Sequence, residues 1–315
     1  MEPIKILISA CLLGEKVRYD GQHKRDAFLV ETLGQYVEWV RVCPEVDCGL
    51  PVPREAMRLV GDAAAPRLVG NRTGEDFTAR MVQFARARLR ALEGVELCGY
   101  VCKKGSPSSG MERVKLYDEH GVPRPAAAGI FTRLFMEHFP LVPVEEEGRL
   151  QDPVLREMFV ERVFCLKRWR DLVRGGATRG RLVEFHTDHK MLLLAHGRVP
   201  YTALGRLVAG AKERPVGRLY DEYLAGFMAA LGQRLTARKI TDVLTHMAGH
   251  LRGALSAAER QELRGLIGQY HDRLVPLVAP LTLLKHHVRK HGVEYLARQV
   301  FLDPHPVELM LRNHV

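Results

Sequence analysis

The sequence predicts two domains: an α/β domain built on a parallel sheet over residues 1–150, then an all-α domain over residues 151–315. Three observations carry this. Short apolar runs rich in β-branched residues recur through the first half, separated by an amphipathic stretch of helical period. After Val154 the period is helical throughout, with no strand-like run. The formal net charge of +10 is also divided unevenly: Lys and Arg match Asp and Glu at 21 each over residues 1–150 but exceed them 26 to 16 over 151–315.

The first strand is expected over Ile4 to Ala10 (IKILISA), the second over Val37 to Val42 (VEWVRV) and the third over Val95 to Val101 (VELCGYV). Before the third, Thr73 and Asp76 resemble a capping box opening a helix that runs to Leu92, with Phe77, Met81, Phe84, Ala85 and Leu89 along one stripe. Pro140 to Glu145 offers a last short strand, and the EEEGRLQDP stretch marks the end of the domain. Strands alternating with a crossover helix imply a Rossmann-like parallel sheet. In the second half, Ile240, Leu244, Met247 and Leu251 share a helix face, and Ser256 with Glu259 forms the S-x-x-E signature of the next helix start. Apart from Gly175-Gly176 and Gly180, little resembles a linker, and there is no internal repeat.

With 46% hydrophobic and 27% charged residues, the composition excludes a disordered or fibrous chain. No apolar run reaches the roughly eighteen residues of a membrane span, and Met1-Glu2-Pro3 leads straight into the first strand without a basic region, so a cytoplasmic location is expected. Five of the six cysteines (11, 43, 48, 98, 102 and 165) crowd irregularly into the first 102 residues, which is no secreted disulfide framework. They are buried thiols, a catalytic thiol or a metal site. Cys98 and Cys165 lie in apolar surroundings and read as structural.

Ligands of an open parallel sheet sit beyond the carboxyl ends of its strands. There the first run reaches Cys11, the second Cys43-Pro44-Glu45, and the third Cys102 followed by Lys103-Lys104-Gly105-Ser106-Pro107-Ser108-Ser109-Gly110. Thiols and a carboxylate are thus expected to converge on one edge, with Cys11 and Cys43 at helix starts whose dipoles favour thiolate. The spacing itself matches neither zinc CxxC pairs nor ferredoxin repeats. In the second half, the basic excess makes a polyanion such as RNA a candidate partner, with Arg181, His186, His189, Lys190 and His196 as a phosphate surface. The pairs His186/His189 and His246/His250 have the spacing of metal-binding histidines, although such pairs are more often packing.

The segments SACLLG (Ser9 to Gly14) with VRYDG (Val17 to Gly21), CPEVDCGLPVPRE (Cys43 to Glu55) and KKGSPSSGMERVKLY (Lys103 to Tyr117) resemble the three signatures of domain-of-unknown-function family 523, which includes the thiouracil desulfidases. The resemblance spans most of residues 4–147 in the expected order. RGRLVEFHTDHKMLLLAHGRVPYTALGRLVA (Arg179 to Ala209) and YLARQVFLDPHPVELMLRNHV (Tyr295 to Val315) are similar to domain-of-unknown-function family 1722. For the first domain, the resemblance implies a [4Fe-4S] cluster on three cysteines, with an open iron binding the sulfur of a thiolated pyrimidine such as 2-thiouracil or thiouridine, free or carried on RNA. Carried over residue by residue, two cluster ligands fall on Cys11 and Cys43, the acid/base residue on Glu45 and the catalytic serine on Ser106. Lys103, Lys104, Arg181 and Lys190 are further candidates for substrate or phosphate contact.

The sequence departs from the pattern at the third ligand, where the family has cysteine and this chain has Ser109. Serine oxygen is a harder and far less acidic ligand than thiolate. A deliberate cysteine-to-serine change, a natural loss of the cluster, or recruitment of Cys48 or Cys102 would each account for it, Cys48 being the better placed. The alternative to an enzyme is an RNA-binding or regulatory protein with a vestigial cluster pocket.

Overall fold

The computed structural model describes residues 3–314, in two compact units, the first ending at Asp152 and the second beginning at Pro153. The first unit is α/β. Strands β1 (Ile4–Ser9), β2 (Val37–Val42), β5 (Leu97–Cys102) and β8 (Val144–Glu146) form a wholly parallel sheet in the order β2-β1-β5-β8. Ile6, Leu7 and Ile8 of β1 and all six residues of β5 are buried, as expected for central strands covered on both faces. Helices α1 (Pro44–Asp47), α2 (Thr78–Leu92) and α3 (Ile130–His138) belong to the same unit.

The chain passes from β1 to β2 on one side and, later, to β5 on the other, so the strand order reverses between β1 and β5. Adjacent loops diverge there and leave a crevice at the carboxyl edge. The backbone N–H of Lys103, just past β5, donates to the Ser9 hydroxyl at the end of β1 (3.0 Å) and closes the floor of that crevice.

A second sheet has no counterpart in the sequence reading. It joins β3 (Met57–Val60), β4 (Arg67–Gly70), β6 (Val114–Tyr117) and β7 (Pro123–Ala127) in the order β4-β3-β6-β7, antiparallel at both edges and parallel in the middle. Leu59, Leu68, Val114 and Leu116 pack it against Phe77, Met81 and Ile130. The helix before β5 also differs from expectation. Thr73 donates to Glu55 (2.5 Å) instead of capping a helix, while Asp76 accepts the N–H of Thr78 (2.9 Å), so α2 begins at Thr78.

The second unit is helical: α4 (Pro153–Arg174), α5 (Arg179–His196), α6 (Arg198–Ala209), α7 (Val216–Leu231), α8 (Ala237–His250), α9 (Ala257–His271), α10 (Val278–Lys290) and the short α11 (Glu294–Ala297). The Ser256/Glu259 capping box is formed at the start of α9. Helix α5 packs on α6, α7 and α8 and is apolar nearly all round towards its end, which makes it the central helix of the unit. No described helix is long and apolar enough to cross a membrane.

Candidate functional site

A cavity of about 350 Å³ opens at the β1/β5 crevice, within the range of small-molecule sites (roughly 300–1,000 Å³). Its lining brings together Cys11, Cys43, Glu45, Lys103, Lys104, Ser106 and Ser109, which the sequence reading had singled out, with apolar walls from Val17, Tyr19, Val42 and Met57.

The strand ends set the thiols. Beyond Ser9 the chain makes a single 3-10 turn, Ala10–Leu13, that ends on Gly14 at φ 98°, a left-handed conformation suited to glycine. The Cys11 carbonyl accepts the N–H of Lys24 (2.9 Å), which fixes the turn. Cys43 precedes the one-turn helix α1, and its N–H donates to Asp47 (3.0 Å). The expected dipole stabilisation of thiolate is overridden here. Burial, with Cys43 close by, pushes the Cys11 thiol up to about 11, and burial pushes that of Cys43 up to about 11 as well. One helical turn offsets little of that desolvation.

Glu45 is clamped. Its Oε2 takes the Arg54 guanidinium through Nε (3.0 Å) and a second, very short contact from Nη2, with the two side chains only 5% and 14% exposed. Arg54 is in turn held by the carbonyl oxygens of Val17 (3.1 Å) and Pro51 (3.2 Å). The other oxygen, Oε1, accepts the Ser108 hydroxyl at 2.8 Å. A carboxylate only accepts, so the Ser108 proton lies towards Glu45 and its oxygen is free to accept from Ser106 Oγ at 3.0 Å. Ser106 Oγ itself accepts the N–H groups of Ser108 (3.3 Å) and Ser109 (3.2 Å). The result is one oriented line of hydroxyls, Ser106 to Ser108 to Glu45.

Helix α3 holds the serine loop. Its first N–H groups donate to loop carbonyls, Ile130 to Pro107 (3.2 Å) and Phe131 to Ser108 (2.9 Å), and the Thr132 hydroxyl donates to the Ser109 carbonyl (2.6 Å). Gly129 makes this docking feasible: a Cβ there would lie 2.5 Å from the Ser108 carbonyl carbon and 2.6 Å from the Ser109 nitrogen. On the opposite rim, Lys103 forms a very short ion pair with Glu147, whose other oxygen accepts the Lys104 N–H (2.6 Å).

The donor set does not complete a three-thiolate cluster site. Cys11 and Cys43 line the cavity, but the third position is the Ser109 hydroxyl, 3% exposed and 3.3 Å from Ser108 Oγ. Cys48 does not line the cavity. Its sulfur donates to the Glu45 carbonyl (3.2 Å) and its side chain packs against the Leu50, Phe77 and Met81 cluster. Cys102 is fully buried with its sulfur on the Glu145 carbonyl (3.5 Å), and burial raises its pKa well above the ordinary thiol value.

In the second unit, the structure does not place the histidines on a phosphate-binding surface. His186, His189 and His196 are at most 3% exposed: the ring of His186 bonds Tyr223 (3.0 Å), that of His189 the Phe185 carbonyl (2.7 Å), and that of His196 Glu161 (2.6 Å). They occupy the inner face of α5 because that helix is central. Arg181 donates to the Gly176 carbonyl (2.9 Å) and Lys190 is partly exposed on the same helix. His246 and His250 are exposed, with ring centroids 5.1 Å apart. Arg54 and Ser108 were missed because no local spacing marks them. Both lie inside the quoted signature segments, but their partnership with Glu45 spans 9 and 63 residues.

Comparison with known proteins agrees with this division. The family model described as 2-thiouracil desulfurase matches residues 6–147, and that of the protein family of unknown function DUF1722 matches residues 190–306. The protein YbgA of Escherichia coli (strain K12) is 31% identical over 153 residues, 48% of this chain and 90% of that protein. YbbK of Bacillus subtilis (strain 168) is 30% identical over 110 residues, 33% of this chain and 72% of that protein. Among solved structures, the [4Fe-4S]-dependent thiouracil desulfidase TudS is 34% identical, covering 47% of this chain and 94% of that one, with a TM-score of 0.40. The chain therefore belongs to both families, as a fusion of a 2-thiouracil desulfurase-family domain with a DUF1722 domain.

Proposed function

We propose that the N-terminal domain desulfurises a thiolated pyrimidine, replacing C=S by C=O. One observation carries this reading: the Ser106–Ser108–Glu45 line, clamped by Arg54, runs into the same cavity as the thiols of Cys11 and Cys43. Apolar walls suit the pyrimidine faces, and a thiol is a weak S–H donor to a thiocarbonyl sulfur.

Water held by Ser106 attacks the thiocarbonyl carbon. Its proton passes through Ser108 to Glu45 Oε1, while Arg54 keeps Oε2 occupied and the carboxylate in place. The proton held on Glu45 returns along the same line to the sulfur as the tetrahedral carbon expels it as hydrosulfide, and the remaining hydroxyl proton passes to solvent as the carbonyl forms. Overall, thiocarbonyl plus water gives carbonyl plus hydrogen sulfide, with no change of oxidation state. Lys103 lies on the cavity rim with its ammonium paired to Glu147.

The basic second domain suggests an RNA-borne thiouridine alongside the free base. Ser109 favours a second reading, in which the pocket binds the thiolated base without turning it over. Anaerobic incubation of the full chain with 2-thiouracil and, separately, thiolated tRNA tests these readings. Loss of thiocarbonyl absorbance with hydrosulfide release supports desulfuration and identifies the substrate form; binding without sulfide supports the second reading.

A further inference from the structure

The second domain holds a cluster of potential metal ligands. His287 and His291 lie one helical turn apart at the end of α10, and Glu259 projects from the first turn of α9, which packs beside it. One ligand atom from each lies within 4.8 Å of the others. His287 is 3% exposed, yet neither its Nδ1 nor its Nε2 has a hydrogen-bond partner, and the Nε2 of His291 is also buried and unpartnered. A neutral imidazole has one donor and one acceptor to satisfy. Buried polar atoms are nearly always paired, so two adjacent rings left open call for a partner of another kind.

The remaining chemistry fits a cation. Burial lowers the His287 pKa, and neutral imidazole is the form that binds metals. The Glu259 carboxylate is held down to about 2 by Lys290, at 2.6 Å, and by the Ser256 N–H it caps. It is therefore ionised throughout the neutral range.

We propose that Glu259, His287 and His291 form a binding site for a divalent transition metal of borderline softness, zinc being the type. Two imidazoles and one carboxylate match zinc, cobalt or nickel, whereas calcium and magnesium take all-oxygen sets. Three protein ligands leave a further position for water, and the partly exposed Glu259 and His291 place it towards solvent. Lys290, sharing the carboxylate, competes with the metal.

The test is Co²⁺ and Zn²⁺ binding by the full chain stripped with chelator. The thiols of Cys11 and Cys43 are a second destination for either metal, so the measurement is made in a Cys11→Ser/Cys43→Ser background. Co²⁺–thiolate charge-transfer bands in the unsubstituted chain report the other site. The expected result is one equivalent of Co²⁺ with visible ligand-field absorption and no thiolate band, displaced by Zn²⁺. His291→Gln, at a partly exposed position, should weaken binding at least about tenfold. Lys290→Met, which removes the competing ammonium and leaves all three ligands, should tighten it. Absence of binding in the Cys11→Ser/Cys43→Ser background, or affinity unchanged by both His291→Gln and Lys290→Met, overturns the assignment.

Discussion

Gly129→Ala tests whether the serine loop owes its position to α3. The new Cβ would meet the Ser108 carbonyl carbon at 2.5 Å, the Ser109 nitrogen at 2.6 Å and the Ser108 oxygen at 2.7 Å. Ordinary contact begins near 3.4 Å, so the loop has to retreat by roughly 1 Å, and the obstacles are backbone atoms with no rotamer to escape into. Overpacking of this kind costs about 1–3 kcal/mol. The same shift stretches the Ser108–Glu45 hydrogen bond from 2.8 Å beyond its useful length, and a 1 Å misplacement of catalytic groups can cost about 10²-fold in rate. Denaturant unfolding and the rate of hydrosulfide release from a thiolated pyrimidine are the two assays. Gly94→Ala, where a Cβ meets nothing within 4 Å, is the control and should leave both near wild type. Wild-type stability and rate in Gly129→Ala would refute the reasoning.

Three further outcomes follow from the same coordinates. Ser109→Cys supplies the missing third thiol, so after anaerobic reconstitution iron and sulfide should rise towards about four of each per chain, with the unsubstituted chain well below; equal contents would contradict the donor-set argument. His189, His186 and His305 are buried with pKa values lowered by burial to about 3, 4 and 4, so each binds a proton in the unfolded chain near pH 6.5 but not in the folded one. Stability should therefore fall as pH drops from about 6.5 towards 4, by up to about 1.4 kcal/mol per pH unit for each ring, and a flat profile in denaturant titrations would count against their burial. Arg54→Met strands the Glu45 carboxylate among poorly solvated neighbours and should cost about 3–5 kcal/mol, read by the same unfolding assay; a loss under 1 kcal/mol would mean that Ser108 alone suffices to hold it.

The parallel sheet was legible because its central strands are continuous apolar runs, and the helical half because its helices keep one face dry. The second sheet was hidden: its strands span four or five residues, and β7 reads PRPAA, a composition tolerated at the edge position it occupies. The sheet edge that gathers Cys11, Cys43 and Glu45 followed from the rule that ligands lie beyond strand ends. The Arg54 clamp and the Ser108 relay did not, because they depend on how three loops meet. His186 and His189 were assigned to a surface by charge, although their neighbours Phe185, Met191, Leu192 and Leu193 mark a helix buried on most sides. For the metal constellation, the spacing of His287 and His291 is visible in KHHVRKH, but its third member comes from another helix.

The desulfidase reading is tested most directly by one comparison: hydrosulfide released under anaerobic conditions from 2-thiouracil and from thiolated tRNA, by the unsubstituted chain and by Glu45→Gln. Glutamine keeps the shape and can still bond Ser108 but cannot take its proton, so the account predicts steady release from at least one substrate and a loss of about 10²- to 10⁴-fold in the variant. No release from either substrate, or equal release by both proteins, would contradict it.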